Sequence, residues 1–397
     1  MALEWARKHR NKVWAAVIGS GLALSPIHNT WLTNLVTNSK GEVIIFLPAF
    51  GYLLLIMGAS LFLLNNWDRV KEVGWGDKKI VVPLLVIVVS IGLSGLLNAD
   101  GWQDKVAPLG MGLTLFAVYL AARVLGRDIF IAFVPLVIIG AVSVIVSGLL
   151  HPGVPTGGFI TNYCASAGYL VFGTLVVQGK WQWVLVSLVL VALFFVGALE
   201  GLFAITVLGV LVLARHDWSK RLLVPIGMVA VIFVGWVALG YIGPLWDKAN
   251  VDIVVGWVTG EVEVSPETVD VATTNRWTNI VRRMNDIQLL GHGYWVTMPE
   301  RPDGGVGYFE YNSPELEPVH NVPLVIVDQV GPAAGLAWLF VTIFCLVKTR
   351  WKYAWSAVIV LSVFDHYIWT QFAPYFWVIV GVSTSSDIKS DLIFKEV

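Results

Sequence analysis

Residues 80–97 read IVVPLLVIVVSIGLSGLL without one charged side chain, and apolar runs of this kind recur along the whole chain. An α-helix needs about 20 such residues to cross a bilayer. Soluble domains carry about 25% charged residues. Here 13% of the 397 residues are charged and 57% are hydrophobic, with a mean hydropathy of +0.74. The chain lacks the charge to cover a wetted surface, so the fold class read from it is all-α, a polytopic transmembrane helical bundle. The basic-then-apolar start MALEWARKHRNKVW has no small-residue cleavage site after it. It therefore reads as a first transmembrane helix and not as a removed signal peptide. A formal charge of −1 and the lack of a basic block give no reason to expect a nucleic-acid partner. The two cysteines, Cys164 and Cys345, offer neither metal-ligand spacing nor a disulfide framework.

Twelve spans fit the pattern: about 13–30, 42–64, 80–97, 107–125, 129–149, 162–178, 182–199, 201–214, 221–243, 321–347, 353–369 and 372–384. The seventh and eighth are separated only by ALEG (198–201), and one long tilted helix is the alternative there. Charge decides between them. With twelve spans and both termini cytoplasmic, the inner segments hold 19 of the 26 basic residues, as the positive-inside rule requires. A single helix over 182–214 would move Lys348, Arg350 and Lys352 to the other side. The chain thus divides into spans one to nine (1–243), a periplasmic or extracellular loop (244–320), and spans ten to twelve with a cytoplasmic tail (321–397). The expected location is a bacterial-type inner (plasma) membrane.

Within the loop, residues Thr274 to Leu290 read as a helix. At about 100° per residue, Trp277, Ile280, Val281, Met284 and Ile287 make one apolar stripe. Arg276 and Arg283 lie along its edge, while Arg282 points away. Such a helix lies in the membrane interface with its apolar side down, at headgroup level.

No phosphate-cradling glycine loop, no HExxH and no paired acidic motif for a metal-bound nucleotide sugar occurs in the sequence. No cofactor and no metal are expected. A set of polar groups instead shares the outer side on this map: His320 and Asn321, Arg276 and Arg283, His292 and Tyr294 in GHGYW, Asp365 and His366 in FDHYIWT, Glu200, and Asn162 with Tyr163. Arginine offers a planar bidentate fork suited to a diphosphate. Histidine can accept a proton from a sugar hydroxyl near neutral pH.

The segment PVHNVPLVIVDQVGPAAGL (318–336) resembles the His-Asn-then-Gly segment of the O-antigen ligase and O-antigen polymerase family. So do NRWTNIVRRMNDIQLLGHGYW (275–295) before it and FDHYIWTQFAPYFWVIVGV (364–382) after it. With GGFITNYCASAGYL (157–170) and the ALEG break, the resemblance covers roughly the last two-thirds of the chain, in order. It implies a metal-independent membrane glycosyltransferase. Such an enzyme moves a glycan from a polyprenyl-diphosphate lipid carrier to an acceptor sugar, a lipid A core or another glycan. By the resemblance His320 is the base and Arg276 holds the diphosphate. The family often has Ser-Arg-Gly where this chain has ALEG with Glu200, so a second diphosphate arginine is either missing or replaced by Arg283 or Arg282.

Each assignment has a plainer competitor. His320 could simply start a helix, and arginines on an interfacial helix commonly snorkel to lipid headgroups. His292 between two glycines suits a turn as well as a substrate contact. Asp365 and His366 could pair with each other at a span end. Asp328 falls about 20° from the face of Asn321, placed to pair with an inner polar group or to orient the His-Asn turn. Glycan polymerisation is the nearest alternative function. A transporter or flippase of lipid-linked glycans is the alternative from another class, and would show broken helices with polar residues within the membrane.

Overall fold

The computed structural model describes residues 10–26, 47–75, 77–98, 102–152, 154, 156, 163–176, 182–197, 250–272, 276–293, 321–349, 352–364, 368–369 and 372–385. Among these residues all regular structure is helical and no strand occurs, in line with the all-α class read from the sequence. The helices are α1 (Arg10–Leu24), α2 (Leu47–Asn65), α3 (Lys78–Asn98), α4 (Trp102–Leu125), α5 (Phe133–Leu150), α6 (Tyr163–Val176) and α7 (Gln182–Val196). After them come α8 (Val251–Thr259), α9 (Pro266–Ala272), α10 (Arg276–Asn285), α11 (Val322–Val330), α12 (Pro332–Lys348), α13 (Lys352–Phe364) and α14 (Ala373–Ser383).

Three described stretches, Lys78–Asn98, Lys105–Phe130 and Phe133–Leu150, are long and apolar enough to cross a membrane. A fourth joins them if Phe50–Asn65 and Trp67–Gly74, which meet at 89°, form one bent span. Of the twelve expected spans, those at 201–214 and 221–243 lie outside the described residues, as does the ALEG break with Glu200. The tenth, expected at 321–347, is broken at Gly331 into α11 and α12. The remaining stretches are helical over most of their length.

The core forms around α14, all of whose residues from Ala373 to Ser383 are buried. A helix apolar on every side can be covered by lipid or by protein; here protein covers it. Its 11 residues span about 16 Å, roughly half of a hydrocarbon core. α14 lies directly on α4, where a Cβ at Gly381 would stand 2.6 Å from the carbonyl oxygen of Tyr119. Tyr375 donates to the carbonyl of Leu22 at 2.8 Å and packs its ring against Phe133, Phe172 and Phe372. α3 packs beside α4 with Gly95 seated on the ring of Pro108. Small residues at such points let helix backbones approach closely, which is how helices associate where lipid offers no hydrophobic drive.

The long loop holds more helix than the sequence reading assigned. α9 begins with a reciprocal capping pair: Thr268 N donates to Ser265 Oγ at 3.2 Å, and Ser265 N to Thr268 Oγ1 at 2.9 Å. Pro266 occupies the first helical position, where its missing N–H costs nothing. α8, bounded by Asn250 and Gly260 in left-handed conformations, packs beside α9. The helix expected over 274–290 is α10, and it stops at Asn285. Its side chains Val281 and Met284 are exposed, as is Ile287 just beyond it, while Ile280 packs against the core.

Candidate functional site

The site grows from the break in the tenth apolar stretch. Val330-Gly331-Pro332 ends α11 because proline has no N–H and restricts the residue before it to extended ψ. Gly331 takes φ 90° and ψ 165°, a region open in practice only to glycine. In an unbroken helix the carbonyls of Asp328 and Gln329 would accept from residues 332 and 333. Pro332 has nothing to donate, and the turn at Gly331 carries the chain away. Buried carbonyls left in this way need partners from elsewhere.

The GHG stretch supplies them. His292 N donates to the Asp328 carbonyl at 2.8 Å, and Gly293 N to that of Gln329 at 3.1 Å. The hydroxyl of Ser94 on α3 gives the Gln329 carbonyl a second donor at 2.6 Å. The Asn98 amide, one turn further along α3, donates to Gly291 O at 3.0 Å. Side chains have no room where the two backbones meet. A Cβ at Gly291 would lie 2.3 Å from the Gln329 carbonyl carbon, and one at Gly331 would lie 2.2 Å from Leu289 O. This docking is why α10 cannot run on to Leu290: residues 288–293 follow the broken helix instead.

The charged groups gather on the same contact. Arg283 Nη1 meets Asp328 Oδ1 at 3.2 Å. His292 Nδ1 lies 3.1 Å from Asp328 Oδ1 and 3.1 Å from Asp328 O, and its Nε2 lies 3.0 Å from Asp286 Oδ2. Exposure rises along this line, from 7% at the Asp328 side chain through 18% at His292 to 68% at Asp286. The buried carboxylate therefore gathers one guanidinium and one imidazole, and only the outer carboxylate is wet. Removing one partner of a buried ion pair typically costs about 3–5 kcal/mol, because the other charge is left uncompensated. Gln329, next in the chain, is buried and accepts at Oε1 from Trp369 Nε1 at 2.8 Å.

Of the residues expected in the site, the structure brings Arg283 and His292 together through Asp328. Both ring nitrogens of His292 are engaged, so the ring offers none to a substrate in this arrangement. Asn321 is the N-cap of α11, its Oδ1 accepting from Leu324 N at 3.2 Å and its amide 3.5 Å from Val363 O. Pro323 in the first turn suits that start. Arg276 and Arg282 belong to α10 by their backbone. His320, Tyr294, Asp365 and His366 lie outside the described residues. Asp286, Gln329, Ser94 and Asn98 complete the cluster and were not singled out from the sequence. Among the described residues no group of three or more His, Cys, Asp or Glu could hold a metal ion.

Fold and site define a helical protein with membrane-length helices and a charged cluster built on a broken helix. No protein-family model, no curated protein and no solved structure matches the chain.

Proposed function

We propose that the chain is an integral-membrane glycosyltransferase of the O-antigen ligase type, taking its glycan from a polyprenyl-diphosphate carrier. One observation carries the reading. Two stretches in which the family resemblance was found, 275–295 and 318–336, pack on each other through the pairing of GHG with the α11–α12 break. In this reading twelve spans leave both termini in the cytoplasm and the site at the outer face. The acceptor hydroxyl attacks the anomeric carbon of the donor while His320 removes its proton, and the lipid diphosphate departs. Arg283 is already offset by Asp328, so the diphosphate falls chiefly to Arg276. Fixed cations placed where charge develops lower the barrier to such a departure. The acceptor is a glycolipid or glycan, and polymerisation differs only in that the acceptor is a second lipid-linked glycan.

The test is direct. Purified protein incubated with a lipid-linked oligosaccharide and a lipid A core acceptor is expected to yield the conjugate, identified by mass. A second lipid-linked chain as acceptor yields the lengthened glycan if the enzyme is a polymerase. Transport has one observation in its favour, the broken helix with Asp328 and Gln329 buried beside it. However, the carbonyls freed at the break accept from backbone N–H groups. Movement of the lipid-linked glycan across a proteoliposome without any conjugate would establish transport and end the transferase reading.

Topology has its own check. Glu261 is exposed just after α8. A cysteine replacing Glu261 is expected to react with an impermeant thiol reagent on intact cells, and one replacing Ser219 is not. The reverse pattern would place the charged cluster on the cytoplasmic side and remove the site from its donor.

A further inference from the structure

We propose that His292 works as a proton-operated latch that fastens the segment 291–293 to the broken helix. The inference stands apart from the glycosyl-transfer reading, because its readout needs no substrate. It rests on a mismatch in hydrogen-bonding capacity. His292 Nδ1 faces two oxygens of Asp328, one from the carboxylate and one from the backbone, both at 3.1 Å. Nε2 faces the Asp286 carboxylate at 3.0 Å. Ionised carboxylates and carbonyls only accept, and a neutral imidazole donates from one nitrogen alone. Both contacts are made together only while a proton lies between Nε2 and Asp286, with Nδ1–H committed to Asp328. When that proton leaves, Nε2 and the Asp286 carboxylate are two acceptors 3.0 Å apart, and they repel.

Among the described residues no further side chain is placed to donate between Nε2 and Asp286. The charged groups facing the ring, among the described residues, are Asp286 beyond the end of α10, Arg283 within α10 and Asp328 in α11. Arg283 is turned to Asp328, and α3 presents Ser94 and Asn98, which do not titrate and already donate to Gln329 O and Gly291 O. The latch is coupled to the backbone it holds. The same residue that carries the ring donates its N–H to Asp328 O, and the next donates to Gln329 O. Opening the ring contact loosens the docking of 291–293, the residues just before Tyr294 in the sequence.

The sign follows from the chemistry. The latch is complete while that proton is held and loosens when rising pH removes it. The amides of His292 and Gly293 report it, since their N–H groups make the docking bonds. Hydrogen–deuterium exchange of the full chain in detergent, read at single amides, compares about pH 5.5 with about pH 8, which bracket the usual histidine range. After correction for intrinsic exchange, protection at these two amides is expected to fall about tenfold or more at the higher pH, as loss of one hydrogen bond to a charged group implies. The amides of Thr268 and Val269 at the start of α9 serve as the reference and should hold steady. Asp286→Asn keeps the shape but donates from its amide to neutral Nε2, so its two amides should stay protected at both pH values. Equal protection of the wild type at both pH values would overturn the latch. So would a fall shared equally by α9, or a fall that Asp286→Asn leaves unchanged.

Discussion

Gly331→Ala is expected to destabilise the protein by on the order of 4 kcal/mol or more, enough to be a large fraction of the stability of a typical domain. Two independent penalties combine. The backbone at φ 90° and ψ 165° is a region where any Cβ is strained, worth roughly 1–3 kcal/mol. The new methyl would also stand 2.2 Å from Leu289 O and 2.9 Å from the Leu289 carbonyl carbon, and backbone cannot rotate away as a side chain can. Relief requires residues 289–293 to lift off the break. That leaves the carbonyl of Asp328 without the N–H donor of His292, at about 1–3 kcal/mol for a buried group left unpaired, while the Gln329 carbonyl keeps the Ser94 hydroxyl. Gly260→Ala is the control. It too has positive φ, 78°, but a Cβ there meets nothing within 4 Å, so only the left-handed cost of about 1–2 kcal/mol applies. Thermal unfolding of the two purified variants separates these effects. Midpoints lowered equally by both substitutions would show that the close contact between Gly331 and Leu289 does not hold the structure.

The break that this substitution probes was written in the sequence but lay beneath a stronger signal. Hydropathy stays high from Asn321 to Val347, so an apolar-run reading passes straight through Gly331-Pro332, although that dipeptide is turn chemistry. The uninterrupted run at 80–97, by contrast, is helix from Lys78 to Asn98. α14 shows the limit of hydropathy from the other direction. Its residues are apolar all round, which a sequence cannot divide between burial in lipid and burial in protein. Asp328 was legible as a charge needing a partner inside an apolar run, and Arg283 and His292 answer it. What no residue type announced is the docking itself. Backbone N–H groups of His292 and Gly293 meeting the carbonyls of Asp328 and Gln329 leave no side-chain signature. The only hints were the glycines around His292, which read equally as a loose turn. Ser265-Pro266-Glu267-Thr268 is a recognisable helix start, a capping serine followed by proline at the first helical position. Asn321 shows how a pattern residue can carry a structural task, since its side chain caps α11.

That cap sharpens what is expected of the residue before it. Asn321 fixes where α11 begins, so the asparagine of the His-Asn pair carries a structural role. By the proposed reaction, the donor's lipid tail stays in the bilayer while its glycan stays in water. The scissile sugar–phosphate bond then lies at the boundary, and a base serving it must stand at the same depth, where the loop meets the apolar stretch that begins at Asn321. Pro318 and Pro323 stiffen the backbone on either side. General-base catalysis is worth about 10²–10⁴-fold, so His320→Ala is expected to lower turnover by that order with donor binding largely retained. His320→Gln keeps a hydrogen-bonding group without basicity and should be nearly as inactive. His292→Gln, in contrast, should leave most turnover in place, because both nitrogens of that ring are engaged within the protein. Purified variants assayed with the same lipid-linked donor and acceptor decide the matter. Close to full turnover in the His320→Gln protein would make His320 a binding or structural residue and send the search for the base to His366.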